Sequence, residues 1–243
     1  MKKTMMVSVF AGVALGAVVA IAQQAVYSSN VVGFVTVDVP RGGMIMLRND
    51  FVNPDGGDIS PSTLFGDTLP VGTKIQKWET DGTPGYSFST YSIAFGPPPL
   101  FLAETNWTPD TVSLERGGGF WVQIPTNAPD ASYTVTVSGE VPDEAEATVP
   151  VAEGLNMLAY MFPAEVLWTN TTLAKKAKVG DRVYLWDGSQ YNISTYAVTF
   201  GPPPAFAPAT NWSLPGMKIP VGRSVWYNAT EADTWTEASP YTL

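Results

Sequence analysis

Tyr86-Ser-Phe-Ser-Thr-Tyr-Ser-Ile-Ala-Phe-Gly-Pro-Pro-Pro99 returns 105 residues later as Tyr191-Asn-Ile-Ser-Thr-Tyr-Ala-Val-Thr-Phe-Gly-Pro-Pro-Pro204, with nine of the 14 positions identical. A block repeated at this length makes the chain its own comparison: what both copies keep is what the shared unit needs. What they keep is strand, turn and aromatic chemistry. Tyr91, Ile93 and Phe95 fall on one strand face, opposite Ser92 and Ala94, and Tyr196, Val198 and Phe200 preserve that parity. A two-residue period of this kind predicts a strand whose apolar face looks into a core. The Gly-Pro-Pro-Pro run that follows favours stiff, extended polyproline geometry.

Outward from this block the correspondence continues. Asn106-Trp107 matches Asn211-Trp212 at the same offset, and residues 117–122 match 222–227. Residues 71–75 with Trp78 match 179–183 with Trp186 at an offset of 108, and residues 43–47 with Phe51 match 154–158 with Phe162 at 111. A growing offset means short insertions in the loops of the first copy, where they cost little. The unit is therefore about 100 residues, an ordinary domain size. We place the first β domain at 26–142 and the second at 149–243, joined by the acidic stretch Pro142-Asp-Glu-Ala-Glu-Ala147. Residues 31–39, 73–78 and 132–138 also alternate in polarity and are rich in β-branched and aromatic residues, so they read as strands. Residues 61–69 and 171–178 have room for a helical turn or two. The expected fold class is all-β: two tandem homologous antiparallel β-sandwich or barrel-like domains after a cleaved signal peptide.

That leader is read from Met1-Lys-Lys, the apolar run at 7–22 and its small-residue end Ala20-Ile-Ala22, the order of a secretory signal peptide. Cleavage after Ala22 leaves a formal charge of about −11, so nucleic acid is not an expected partner. The chain has no cysteine, which removes disulfides and thiolate sites, and no histidine, which removes a Ser-His-Asp triad and His-based metal sites. The glycosidase alternative needs two facing acids, yet none of the 22 acidic residues occupies a matched position in the best-aligned segments. A non-enzymatic protein is therefore expected. Its charged fraction of 14% is well below the roughly 25% of ordinary soluble domains, which suits an exported, assembling surface.

Two residue sets are candidates for ligands. Trp107 and Trp212, each preceded by an Asn (Asn106, Asn211), could form platforms on which sugar rings stack, or could plug the end of a core. Asn49, Asp50, Asn53, Asp55 and Asp58 supply hard oxygen donors in a Gly-containing loop, the raw material of a Ca²⁺ site, or of a solvated turn.

Ser29-Asn-Val-Val-Gly-Phe-Val35, Trp186-Asp-Gly-Ser-Gln-Tyr191, Gly118-Gly-Phe-Trp-Val122 and Ser138-Gly-Glu-Val-Pro142 together resemble a group of small exported bacterial proteins, frequent in Verrucomicrobia and their relatives, in which a β unit is duplicated. The resemblance implies export and β structure, and it supplies no catalytic residues. The ending Ala238-Ser-Pro-Tyr-Thr-Leu243 shows no short apolar span with a basic end, so secretion or non-covalent attachment is expected, in the periplasm or at the cell surface. Three readings follow: a structural or adhesive protein of the cell envelope or extracellular matrix that contacts other envelope proteins or itself, a module that binds polysaccharide, and a Ca²⁺-stabilised adhesin.

Overall fold

The structure, a computed structural model, describes residues 31–96, 102–201 and 206–242; the leader and both triple-proline runs lie outside them. Half of the described residues are strand and 6% are helix, and the sheets are antiparallel. In the first half, β1 (Val32–Pro40) pairs with β7 (Ser132–Glu140) as a two-stranded ribbon, and β2 (Met44–Arg48), β3 (Lys74–Glu79), β4 (Gly85–Phe95), β5 (Ala103–Thr108) and β6 (Gly119–Gln123) form a sheet in the order β2-β6-β3-β4-β5. In the second half, β8 (Glu146–Val151) pairs with β16 (Asp233–Ala238), while β9 (Gly154–Ala159), β11 (Arg182–Trp186), β12 (Tyr191–Phe200), β13 (Pro208–Trp212) and β15 (Ser224–Ala229) form a sheet in the order β9-β15-β11-β12-β13. β10 (Val166–Leu167) and β14 (Lys218–Ile219) make a short further pair. Matched segments therefore occupy matched places in the two sheets. The acidic stretch read as a linker ends inside β8, where Glu146 pairs with Ala238.

Helix is confined to short stretches. α1 (Pro61–Phe65) and α2 (Thr172–Lys176) lie inside the two segments expected to hold a turn, and each starts at a hydroxyl cap, Ser60 or Thr171, that accepts a backbone N–H. Among the described residues no helix is long and apolar enough to cross a membrane.

Each ribbon covers one face of its sheet. Val39, Val135 and Val137 of the first ribbon pack on Leu47, Ile75, Phe120 and Val122, and Val151 and Trp235 of the second pack on Leu158, Val183, Val225 and Tyr227. The sheets are apolar on their other face as well, because Met44 and Met46 alternate with Ile45 and Leu47 along β2. These second faces meet each other. Met46 and Trp121 from one sheet and Met157 and Trp226 from the other form a third buried cluster, flanked by Met44, Trp78, Tyr184 and Trp186.

Contacts across this seam come in matched pairs. The Trp78 indole N–H donates to the Leu155 carbonyl at 2.8 Å, and that of Trp186 donates to the Met44 carbonyl at 3.2 Å. Arg48 N donates to Gly222 O at 3.0 Å, and Ala159 N donates to Gly117 O at 2.9 Å. Gly117 and Gly222 both have positive φ, +86° and +74°, which favours glycine. Between the two matched strands β6 and β15, Gly119 faces Ser224; a Cβ at Gly119 would lie 2.5 Å from that of Ser224.

Other seam contacts have no matched partner: Arg223 donates to Met46 O and Arg116 to Met161 O, each at 3.1 Å, and a third such arginine is fully buried. The buried Arg48 guanidinium places Nε 2.6 Å from Asp50 Oδ1. It also donates to the carbonyls of Tyr160 at 2.8 Å, Ala164 at 3.1 Å and Phe162 at 3.2 Å, all in the second half. Burial pushes the Asp50 carboxyl up to about 6, against the pull of Arg48. The positions matching Arg48 and Asp50 in the second half are Ala159 and Met161.

Two outcomes are expected. Gly119→Val wedges the sheets apart and costs roughly 1–3 kcal/mol, lowering the thermal midpoint by about 2–4 °C per kcal/mol. Arg48→Met leaves Asp50 buried without its countercharge and costs about 3–5 kcal/mol, whereas the double variant Arg48→Met, Asp50→Leu recovers most of that loss. Thermal or urea denaturation of the three variants beside the wild type checks both.

Candidate functional site

The repeated block builds the two longest strands of the molecule, β4 and β12, which pair with β5 and β13. In β4–β5, Tyr91 lies opposite Trp107, and in β12–β13, Tyr196 lies opposite Trp212. Ring centroids in these pairs are 5.2 and 5.3 Å apart, the spacing of favourable aromatic contacts. Beyond them the hairpins run past the edge of the core. Ile93, Phe95 and Leu102 at one end are exposed, as are Val198, Phe200 and Phe206 at the other, with Phe95 and Phe200 each 69% exposed. The expected core face is thus a core face as far as Tyr91, and as far as Tyr196, which is half-buried; the same-parity residues further along face solvent.

Trp107 and Trp212 correct the platform reading. They are 5% and 6% exposed, and their indole N–H groups donate inward to Gly66 O at 2.9 Å and Ala174 O at 3.0 Å. Neither ring has a free face on which a sugar could stack, because each closes the end of its core. Asn106 and Asn211 point the other way on their strands and are exposed.

The five oxygen donors of the Ca²⁺ reading are not brought together. Asn49 is buried and holds the local turn, accepting from Phe51 N and donating to Phe51 O. Asp50 turns inward to Arg48. Asn53 accepts from Asp55 N and donates to Gly57 O, while Asp55 and Asp58 are exposed. Among the described residues no group of three or more acidic side chains is arranged to hold a metal.

Other buried carboxylates have structural partners of their own. Asp181 accepts from Tyr227 Oη at 2.6 Å, from Lys178 N, and from Thr230 N and Oγ1, all at 2.8 Å. Burial raises its pKa, but these donors outweigh it and the net shift is downward. Glu237 accepts from Thr172 N at 2.6 Å and Trp235 Nε1 at 2.7 Å, tying α2 to β16.

What sequence reasoning missed is the second aromatic face of the same strands. Tyr86 and Phe88, of opposite parity to Tyr91, look toward the seam, where Tyr86 packs edge-to-face on Trp78 and Trp226 at 5.1 and 6.3 Å. Tyr191 does likewise on Trp186 and Tyr184 at 5.0 and 6.2 Å. A groove of about 430 Å³ opens there, lined by Tyr86, Leu155, Tyr184, Tyr191, Ile193 and Trp226. The parity switch between Phe88 and Tyr91 was the available signal for it.

Trp107→Ala is expected to destabilise the first half by about 3–5 kcal/mol, as removal of a buried aromatic does. Pelleting with insoluble polysaccharide, measured on the fraction that remains folded, should be unchanged. Comparison of the chain with protein families, with curated proteins and with solved structures finds no match.

Proposed function

We propose that this chain is an exported, non-enzymatic structural or adhesive protein of the cell envelope or extracellular matrix, built from a duplicated β unit, and that it associates through the ends of its two long hairpins. The observation that carries this reading is the exposure of Ile93, Phe95 and Leu102 at one end and of Val198, Phe200 and Phe206 at the other. Large apolar groups clustered on a surface mark contact sites, and here the two clusters share the matched pairs Ile93 with Val198 and Phe95 with Phe200. Export rests on the order of residues in the leader. The matched strand orders of the two sheets support the duplication. The absence of histidine and cysteine from the chain, and the structural partners of Asp50, Asp181 and Glu237, support a role without catalysis.

Sedimentation velocity of residues 23–243 over a range of concentrations tests the reading. The wild type should associate without added glycan, and the double variant Phe95→Ser, Phe200→Ser should sediment as a monomer with an unchanged thermal midpoint. A wild type that stays monomeric at every concentration and does not adsorb to cell-wall material overturns it.

A further inference from the structure

The hairpin ends and the seam groove are complementary in kind. The groove is lined by three tyrosines, a tryptophan and two aliphatic side chains, with no charged residue. Its rings are held in place: Tyr86 and Tyr191 lean edge-on against Trp78 and Trp186, and Trp226 is itself buried. Tyr86, Leu155, Tyr191 and Ile193 are each between 39% and 45% exposed, so their faces are presented rather than covered. Burial holds the Tyr86 and Tyr191 phenols above their ordinary pKa, with the Trp121 and Trp226 indole N–H groups opposing, so both stay neutral hydroxyls. A groove of fixed aromatic side chains is the recognition mode for polyproline segments, whose stiffness keeps the entropy cost of binding low.

The chain carries two such segments. Gly96-Pro-Pro-Pro99 and Gly201-Pro-Pro-Pro204 lie between the described ends of the two hairpins, Phe95 and Leu102 in one, Phe200 and Phe206 in the other. Tyr86 and Tyr191 stand near the start of β4 and β12, and Phe95 and Phe200 are nine residues further along. At about 3.3 Å per residue Phe95 and Phe200 lie about 30 Å along the strand from those tyrosines, so the exposed strand ends and the groove are separate surfaces.

We infer that the aromatic seam groove of one molecule receives a triple-proline hairpin end of a second copy. The inference rests on the reading of the hairpin ends as the contact surface and names what they contact. Groove and hairpin end are different surfaces, so the contact is head-to-tail, and such contacts continue into open chains unless the rotation closes them into a ring. The uncharged lining lets two acidic molecules meet without like charges facing one another at this point.

The test is a titration of a fluorescein-labelled peptide of residues 93–104 with the full chain, followed by fluorescence anisotropy. Saturable binding is expected. It should weaken at least about tenfold for the peptide carrying Pro97→Ser, Pro98→Ser and Pro99→Ser, and likewise for chains carrying Tyr191→Ala or Leu155→Glu. Near-UV circular dichroism shows that each chain variant is folded, and Leu155→Glu, on the exposed rim, serves if Tyr191→Ala is not. No saturable binding, equal binding of the serine peptide, or binding unaffected by the folded groove variants overturns the inference. Binding of a soluble β-glucan oligosaccharide in place of the peptide gives the groove to a sugar and overturns it too. This titration reads the groove whether or not the chain self-associates, so its failure is separate from a failure of the sedimentation experiment.

Discussion

Everything on the inner side of this molecule depends on how closely two sheets approach at Gly119 and Ser224. With almost no side chain at that crossing, strands β6 and β15 come near enough for Trp121 and Trp226 to lie across the seam and reach the aromatics of the opposite sheet. The same approach brings the Trp78 and Trp186 indoles onto carbonyls of the facing sheet. Edge-to-face packing then fixes Tyr86 and Tyr191. The groove is therefore a product of sheet spacing, since its walls come from both halves.

Against this matched background, Arg48 breaks the symmetry. One guanidinium ties the carbonyls of three alternate residues of the second half to a strand of the first. Buried ion pairs contribute little net stability, because desolvation offsets most of their attraction. Their geometry is demanding, however, and a fork of donors that fits one arrangement of carbonyls penalises others. Apolar contact alone would set the sheets' register only loosely, whereas the Arg48 fork has one seating. The pair thus adds one more single-seating contact to the backbone and indole hydrogen bonds that set the relative placement of halves with separate cores, drawn from residues 39–137 and 151–235.

Much of this architecture was legible from local pattern. The strand segments, the two short helices and the matched order of elements follow from polarity period, turn residues and the internal repeat. Burial along a strand was less so. A two-residue period says that Tyr91, Ile93 and Phe95 share a face, but how far the covering layer extends is a tertiary fact, and here it ends near Trp107. Trp107 and Trp212 illustrate the same gap: their sequence surroundings fit a platform or a plug, and the choice depends on Gly66 and Ala174, carbonyls 41 and 38 residues away. The seam was half written in β4, where Tyr86 and Phe88 on one face and Tyr91 on the other require cover on both sides. Arg48 and Asp50 gave no local sign, since the carbonyls they organise lie more than 110 residues further on.

The matched hairpins differ at their outer rims. Gly201 N donates to Ala207 O, so the next rung, Phe200 opposite Pro208, turns its backbone away from β12 and toward the open edge. Proline has no N–H to offer there, whereas the matching residue of the first hairpin is Ala103, which has one. A strand laid along β13 would find a donor missing from its ladder, and one laid along β5 would not. The two flanks of this near-symmetric molecule are thus unequal templates, and any lateral pairing along its edges has a built-in polarity.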